Sequence, residues 1–145
     1  MRIVLQRVRH ARVSVSDQVI AEIGSGVILL VGIGPTDGEE QARYLADKIV
    51  NLRIFEDQAG KINRSLLDVG GEVIVVSQFT LYADTRKGRR PSFTGAADPQ
   101  IAKPLVDKFA TLLVERGVPT QTGEFGAHML VEIANDGPVT ISLER

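Results

Sequence analysis

Alternation of apolar and polar positions dominates the start of the chain. Residues 2–9 set Ile3 and Leu5 against Val4, Gln6 and Val8, and residues 11–16 set Val13 and Val15 against Arg12, Ser14 and Ser16. Each run predicts a strand. Asp17-Gln18 predicts a turn, with 19–23 as the hairpin partner. After Gly24-Ser25-Gly26 comes VILLVGIG, apolar on both sides, which predicts a central strand covered on both faces. Thr36 and Glu39 have capping-box spacing, and Ala42, Leu45, Ile49 and Leu52 recur at helical intervals, so a helix is expected over 38–51. A strand at 52–56, a turn at 57–60, a short helical turn at 65–68 and a second apolar strand at 72–81 follow.

Residues 83–97 carry Gly88, Pro91, Gly95 and a run of cations, and they predict a loop. Asp98-Pro99 opens a second helix, with Ile101, Leu105, Phe109 and Leu112 as its expected stripe and Gly117 at its end. A strand at 127–134, a tight turn at 135–138 and a last strand at 139–144 complete the order ββββ-α-ββ-α-ββ. About eight strands, consecutive at both ends, with two main helices predict an α+β fold. Its sheet is expected to be mostly antiparallel and barrel-like, in a single domain over 1–145.

Composition narrows the function classes. The chain has 145 residues, 43% hydrophobic and 24% charged, enough for a core without staples. Its 17 Lys+Arg against 18 Asp+Glu argue against coating nucleic acid by bulk charge, though a local basic patch stays open. The lack of Cys excludes a thiol nucleophile, a disulfide framework and thiolate metal sites. The opening MRIVLQRVRHARV scatters arginines among apolar positions, and Val27–Ile33 is too short to span a bilayer. A soluble cytoplasmic protein without membrane contact is expected.

Common catalytic signatures (GxSxG, HExxH, GxxxxGK[ST], and GxGxxG after a strand) are absent. His10 and His128 are the only histidines, and no metal-ligand spacing is present. Three segments carry chemistry. Ser77-Gln78-Phe79-Thr80-Leu81-Tyr82 ends an apolar strand in polar groups, where hydroxyls, an amide and free backbone N–H groups could hold an oxyanion. Asn135-Asp136-Gly137-Pro138 puts Pro after Gly, and a cis bond there would present bare carbonyl oxygens. Arg86-Lys87-Gly88-Arg89-Arg90-Pro91-Ser92-Phe93 could contact phosphates and stack on a base. Each segment also has an ordinary reading: local side-chain hydrogen bonds, a simple turn and a solvated face. On the residues alone, an ester hydrolase, a non-catalytic RNA-binding module and an acyl hydrolase using His128 all stay open.

Ser77-Gln78-Phe79-Thr80-Leu81 and Asn135-Asp136-Gly137-Pro138-Val139-Thr140, with TRKGRRPSF between them, make the whole chain resemble the D-aminoacyl-tRNA deacylases. The resemblance implies hydrolysis of the ester between a D-amino acid, or glycine, and the 3′-terminal adenosine of tRNA. It implies a homodimer with each active site at the subunit interface and no cofactor. It assigns Ser77, Gln78, Phe79 and Thr80 to catalysis, with backbone N–H groups around Gln78 and Phe79 on the oxyanion and Thr80 positioning substrate. Gly137 and Pro138, joined by a cis bond, would reject L-amino acids from within the partner's site. Arg7 is a candidate for supporting that motif. Arg86, Lys87, Arg89 and Arg90, with Phe125 and Met129, are candidates for holding the tRNA end and its adenosine.

Overall fold

The computed structural model describes residues 1–145. The two strands expected at 2–9 and 11–16 are one, β1 (Arg2–Val15), long enough to serve two parts of the sheet. Its first half pairs antiparallel with β3 (Gly26–Gly32), and its second half pairs with β2 (Gln18–Ile23). The turn between β1 and β2 sits at Ser16-Asp17, one residue earlier than expected, with φ of 49° and 63°. Along its other edge β1 carries the last strand, β8 (Leu130–Glu144). β3 is buried on both faces, as its unbroken apolar run predicts.

Beyond β3 the sheet turns parallel. β6 (Glu72–Ser77) pairs parallel with β3, and β7 (Thr120–Thr122) pairs parallel with β6. The α+β class holds, and the sheet is mixed because helices, not hairpins, connect these strands. β7 has no apolar pattern to announce it; its Thr-Gln-Thr is anchored by backbone bonds to β6. The strand expected at 52–56 shrinks to β4 (Phe55–Glu56), which pairs with the unforeseen β5 (Ile62–Arg64) in a separate small ribbon.

Helix α1 (Glu39–Asn51) is capped by Gly38, whose N–H donates to Gln41 Oε1 at 3.0 Å; Thr36 and Glu39 do not form the expected box. α2 (Leu66–Val69) is one turn capped by Ser65. α3 (Pro99–Glu115) starts at Asp98 as expected, with Asp98 Oδ1 accepting from the Gln100 N–H at 2.9 Å. Its buried stripe is Ala102, Val106, Phe109, Ala110, Leu112 and Leu113, which leaves Ile101 on the surface. The helices cover one sheet face over the main core, where Ile3, Leu5, Leu29, Leu45, Phe109 and Leu113 meet. A smaller core of Val8, Val13, Ile23, Ile28 and Ile74 fills the opposite face, where β1 and β2 curl over.

β8 is an edge strand. It pairs only with β1, and of its fifteen residues Leu143 alone is buried. No helix is long and apolar enough to cross a membrane.

Candidate active site

The apolar strand expected to run to Leu81 stops at Ser77. The Gln78 N–H closes the ladder on Val31 O at 2.7 Å, and residues Phe79–Tyr82 then wind into a 3-10 turn. At the two ends of the turn, Leu81 N–H donates to Gln78 O (3.2 Å) and Ala83 N–H to Thr80 O (3.0 Å). The N–H groups of Phe79 and Thr80 precede these bonds and have no partner within the turn. Of the two amides expected to face an oxyanion, Gln78 is therefore already committed, and the available pair is Phe79 and Thr80. The Gln78 side chain folds back, its Nε2 donating to Thr80 Oγ1. That fixes the Thr80 oxygen as an acceptor and leaves its own proton to point elsewhere.

Ser77, Gln78 and Phe79 open onto a cavity of about 770 Å³, lined mainly by apolar groups. Phe125 and Met129 stand in its wall, as do His128 and Asp98. The cavity thus offers an apolar slot for a flat ring, with hydroxyl, amide and backbone donors at one end. A Cβ on Gly123 would come 2.6 Å from Met129 Sδ, so the absence of a side chain there makes room for the methionine.

The basic loop closes back on this site. Asp84 and Ser92 bridge to each other, and Phe93 reaches the turn, its ring 5.1 Å from that of Phe79 in an edge-to-face contact. Phe93, expected from the sequence to stack on a base, lines the cavity itself. Arg86, Lys87, Arg89 and Arg90 are all exposed. Arg86 is forked onto Asp84 at 2.7 and 2.9 Å, and these side-chain hydrogen bonds, helped by one from the Arg86 N–H, hold the Asp84 carboxyl below the usual range. Lys87, Arg89 and Arg90 form no ion pair.

The second motif lies elsewhere. Residues 135–138 are not a hairpin turn: β8 runs straight through, with Asp136 to Val139 bulged opposite Arg7 between the Gln6–Thr140 and Val8–Asn135 pairs. Pro138 cannot donate to a ladder, and the bulge spares it that role. The Gly137–Pro138 peptide bond is cis. Arg7 is 5% exposed and reaches across: its Nε donates to Asp136 O at 3.1 Å, and its Nη1 donates to Ile54 O at 2.5 Å. Registers place Gly137 level with Val27 and Val73, whereas Ser77 is level with Val31 and Ile3. Four residues along and three strands across amount to roughly 20 Å over the sheet. Within one chain, then, Gly137 and Pro138 do not meet Ser77–Thr80.

Arg7 holds two carbonyls that no other side chain serves. Arg7→Met should leave both without these donors and lower stability by about 2–4 kcal/mol. The measurement is the urea midpoint at constant m-value. An unchanged midpoint would mean that water replaces the guanidinium at no cost.

Neither histidine is oriented by a hydrogen bond to a carboxylate. His10 lies exposed in the middle of β1, not at a strand end, and His128 is an exposed part of the cavity wall. The site therefore resembles an electrostatic cradle rather than a Ser–His–acid machine.

Comparison with known proteins identifies the family. The family model described as D-Tyr-tRNA(Tyr) deacylase matches residues 4–144. A D-aminoacyl-tRNA deacylase of Roseiflexus sp. (strain RS-1) is 61% identical, over 99% of this chain and 93% of that one. One from Limosilactobacillus reuteri (strain DSM 20016) is 55% identical over the full length of both. Among solved structures, the c-Myc DNA Unwinding Element Binding Protein superposes with a TM-score of 0.94 at 40% identity, covering 100% of this chain and 99% of that one. A probable eukaryotic D-amino acid tRNA deacylase shares the fold at TM-score 0.84 and 20% identity, over 98% and 97% of the two chains. With both motifs intact and a match along nearly all its length, the chain belongs to the D-Tyr-tRNA(Tyr) deacylase family.

Proposed function

We propose that this hydrolase cleaves the ester between a D-amino acid, or glycine, and the 3′-terminal adenosine of tRNA, and that its working form is a homodimer. The observation that carries the reading is the pairing of two free amides, Phe79 and Thr80, with an apolar cavity beside a loop of unpaired cations. Adenine enters between Phe125 and Met129. Phosphates of the single-stranded end run toward Lys87, Arg89 and Arg90. The scissile carbonyl then lies over the turn, where the two N–H groups stabilise the charge that develops on its oxygen. Thr80, held by Gln78, positions the substrate. An aminoacyl ester is already activated by its neighbouring ammonium, and the ribose 2′-hydroxyl supplies the proton transfer that no side chain is placed to provide.

Chirality is read by backbone. Gly137 and Pro138 of one protomer, supported by Arg7, face the Ser77–Thr80 site of its partner. The roughly 20 Å between these motifs within one chain makes a second copy necessary for them to meet. The free edge of β8, which carries Gly137 and Pro138, supports pairing at that strand. Carbonyl oxygens hold the ammonium, and main chain walls off the direction an L side chain would take. A D side chain points away from the wall, and glycine has none to reject. Such an enzyme works where tRNA is charged, in the cytoplasm.

The deciding experiment compares D-Tyr-tRNA with L-Tyr-tRNA. Release from the D form at a rate at least about 10²-fold above the L form is expected, the scale that a steric or unpaired-group penalty of about 3 kcal/mol gives. Equal rates, or no release from either, would remove the proposal. tRNA binding without cleavage, surviving Gln78→Ala, would favour a non-catalytic RNA-binding module.

A further inference from the structure

We infer that Tyr82 is a positioning residue for the deacylation step, holding the 3-10 turn so that the Phe79 and Thr80 N–H groups keep their aim. The inference rests on the proposed reading of Ser77–Thr80 as the reacting site. A single four-residue 3-10 turn is not stiff by itself. Its reach toward a carbonyl is set by whatever braces its far end.

Tyr82 is that end, and it is braced on three sides. Its phenol donates to Asp37 Oδ2 at 3.2 Å, and the same oxygen accepts the Gly34 N–H at 2.6 Å. The Arg2 guanidinium lies 4.5 Å over the Tyr82 ring, and its Nη1 donates to Leu81 O at 3.2 Å. Gly32 at the end of β3 and Gly34 just beyond it supply the floor. A Cβ on Gly32 would come 3.0 Å from Gln78 O and 3.2 Å from the Tyr82 ring, and one on Gly34 would come 2.8 Å from the Tyr82 hydroxyl. Burial, aided by Asp37, pushes the phenol up to about 12, so it remains a donor across the working range of an enzyme.

Tyr82 does not line the cavity that takes the substrate. It faces a separate depression of about 550 Å³, shared with Arg2, Thr85 and Arg86. It therefore acts through the peptide it holds. Donors preorganised toward a developing oxyanion lose value when their angle drifts, and displacements of about 1 Å can cost on the order of 10²-fold. Tyr82→Phe keeps the ring on Arg2 and removes only the bond to Asp37.

The test measures kcat and KM for D-Tyr-tRNA in Tyr82→Phe and, should that variant fold poorly, in Arg2→Met, which removes the brace from the exposed side. Backbone amide NMR signals of Phe79 and Thr80 are followed in the same proteins. A fall of about tenfold in kcat, with KM within about twofold and both amide signals displaced, is expected. Wild-type kcat with unmoved amides overturns the inference, and so does a rise in KM alone. Gln78→Ala separates the two levels. Lost turnover there, with full turnover in Tyr82→Phe, sinks only the role of Tyr82, whereas full turnover in Gln78→Ala sinks the site reading beneath it.

Discussion

D-Tyr-tRNA ending in 2′-deoxyadenosine should be cleaved about 10²–10⁴-fold more slowly than the ribose form, the range that a positioned proton-transfer group contributes. The cavity is lined at the turn by the hydroxyl of Ser77 and the amide of Gln78, with the Thr80 hydroxyl bonded to Gln78 behind them, and none of these takes or gives a proton readily near neutrality. Its two titrating side chains are badly placed for the work. Asp98 Oδ1 is engaged in capping α3, accepting the Gln100 N–H at 2.9 Å, and His128 is exposed with no hydrogen bond to orient it. In the proposed reaction, water activation comes from the substrate, whose vicinal hydroxyl adjoins the scissile bond. Single-turnover cleavage of matched deoxy and ribose substrates measures the effect directly. His128→Ala should retain the wild-type rate. Equal cleavage of both substrates, with activity lost in His128→Ala, would instead make His128 the base and return the chain to the simple acyl-hydrolase reading.

The chemistry was more legible in the sequence than the topology that arranges it. Polar residues ending an apolar strand at Ser77–Thr80 are a local anomaly, and local anomalies survive without a fold. What periodicity could not show was that the chain leaves the ladder at Gln78. Ser77-Gln78-Phe79 alternates as well as any strand, and only the bond from Gln78 N–H to Val31 O marks the exit. That single bond takes the Gln78 N–H out of the set of amides proposed to face an oxyanion. Asn135–Pro138 carries every mark of a hairpin turn. It is a bulge because a buried arginine on the neighbouring strand accepts the extra length, and such a partner is 129 residues away in sequence. β7 was invisible for a related reason: a three-residue strand held by backbone bonds leaves no side-chain pattern. The basic loop reads in the sequence as cations for phosphates with Phe93 to stack on a base. In the fold Phe93 instead meets the ring of Phe79 edge to face, a contact between segments that local sequence cannot pair.

Gly137→Ala should lower kcat/KM for D-Tyr-tRNA by about 10²-fold, as an approximately 1 Å displacement of a preorganised group would. Gly137 has φ +116°, a conformation that L side chains rarely adopt. A Cβ there would meet Arg7 Nη2 at 3.0 Å, Val139 Cγ2 at 3.1 Å and the Val139 amide nitrogen at 3.2 Å. None of these yields easily. The amide nitrogen is main chain, and the guanidinium is tied by its Nη1 to Ile54 O at 2.5 Å and by its Nε to Asp136 O at 3.1 Å. The segment 136–139 must move instead, taking with it the carbonyls proposed to hold the ammonium and the wall proposed to exclude L side chains. Stability should fall by only about 1–3 kcal/mol, the usual cost of a residue in a sparsely populated conformation. The protein would therefore stay folded, and light scattering should report the dimer proposed for the unaltered chain. Cleavage of D-Tyr-tRNA should drop while the L form stays near background, so the ratio between them narrows. Wild-type turnover with a lowered melting temperature would reduce Gly137 and Pro138 to a feature of the β1–β8 bulge, and the mirror-image filter would have to be sought elsewhere.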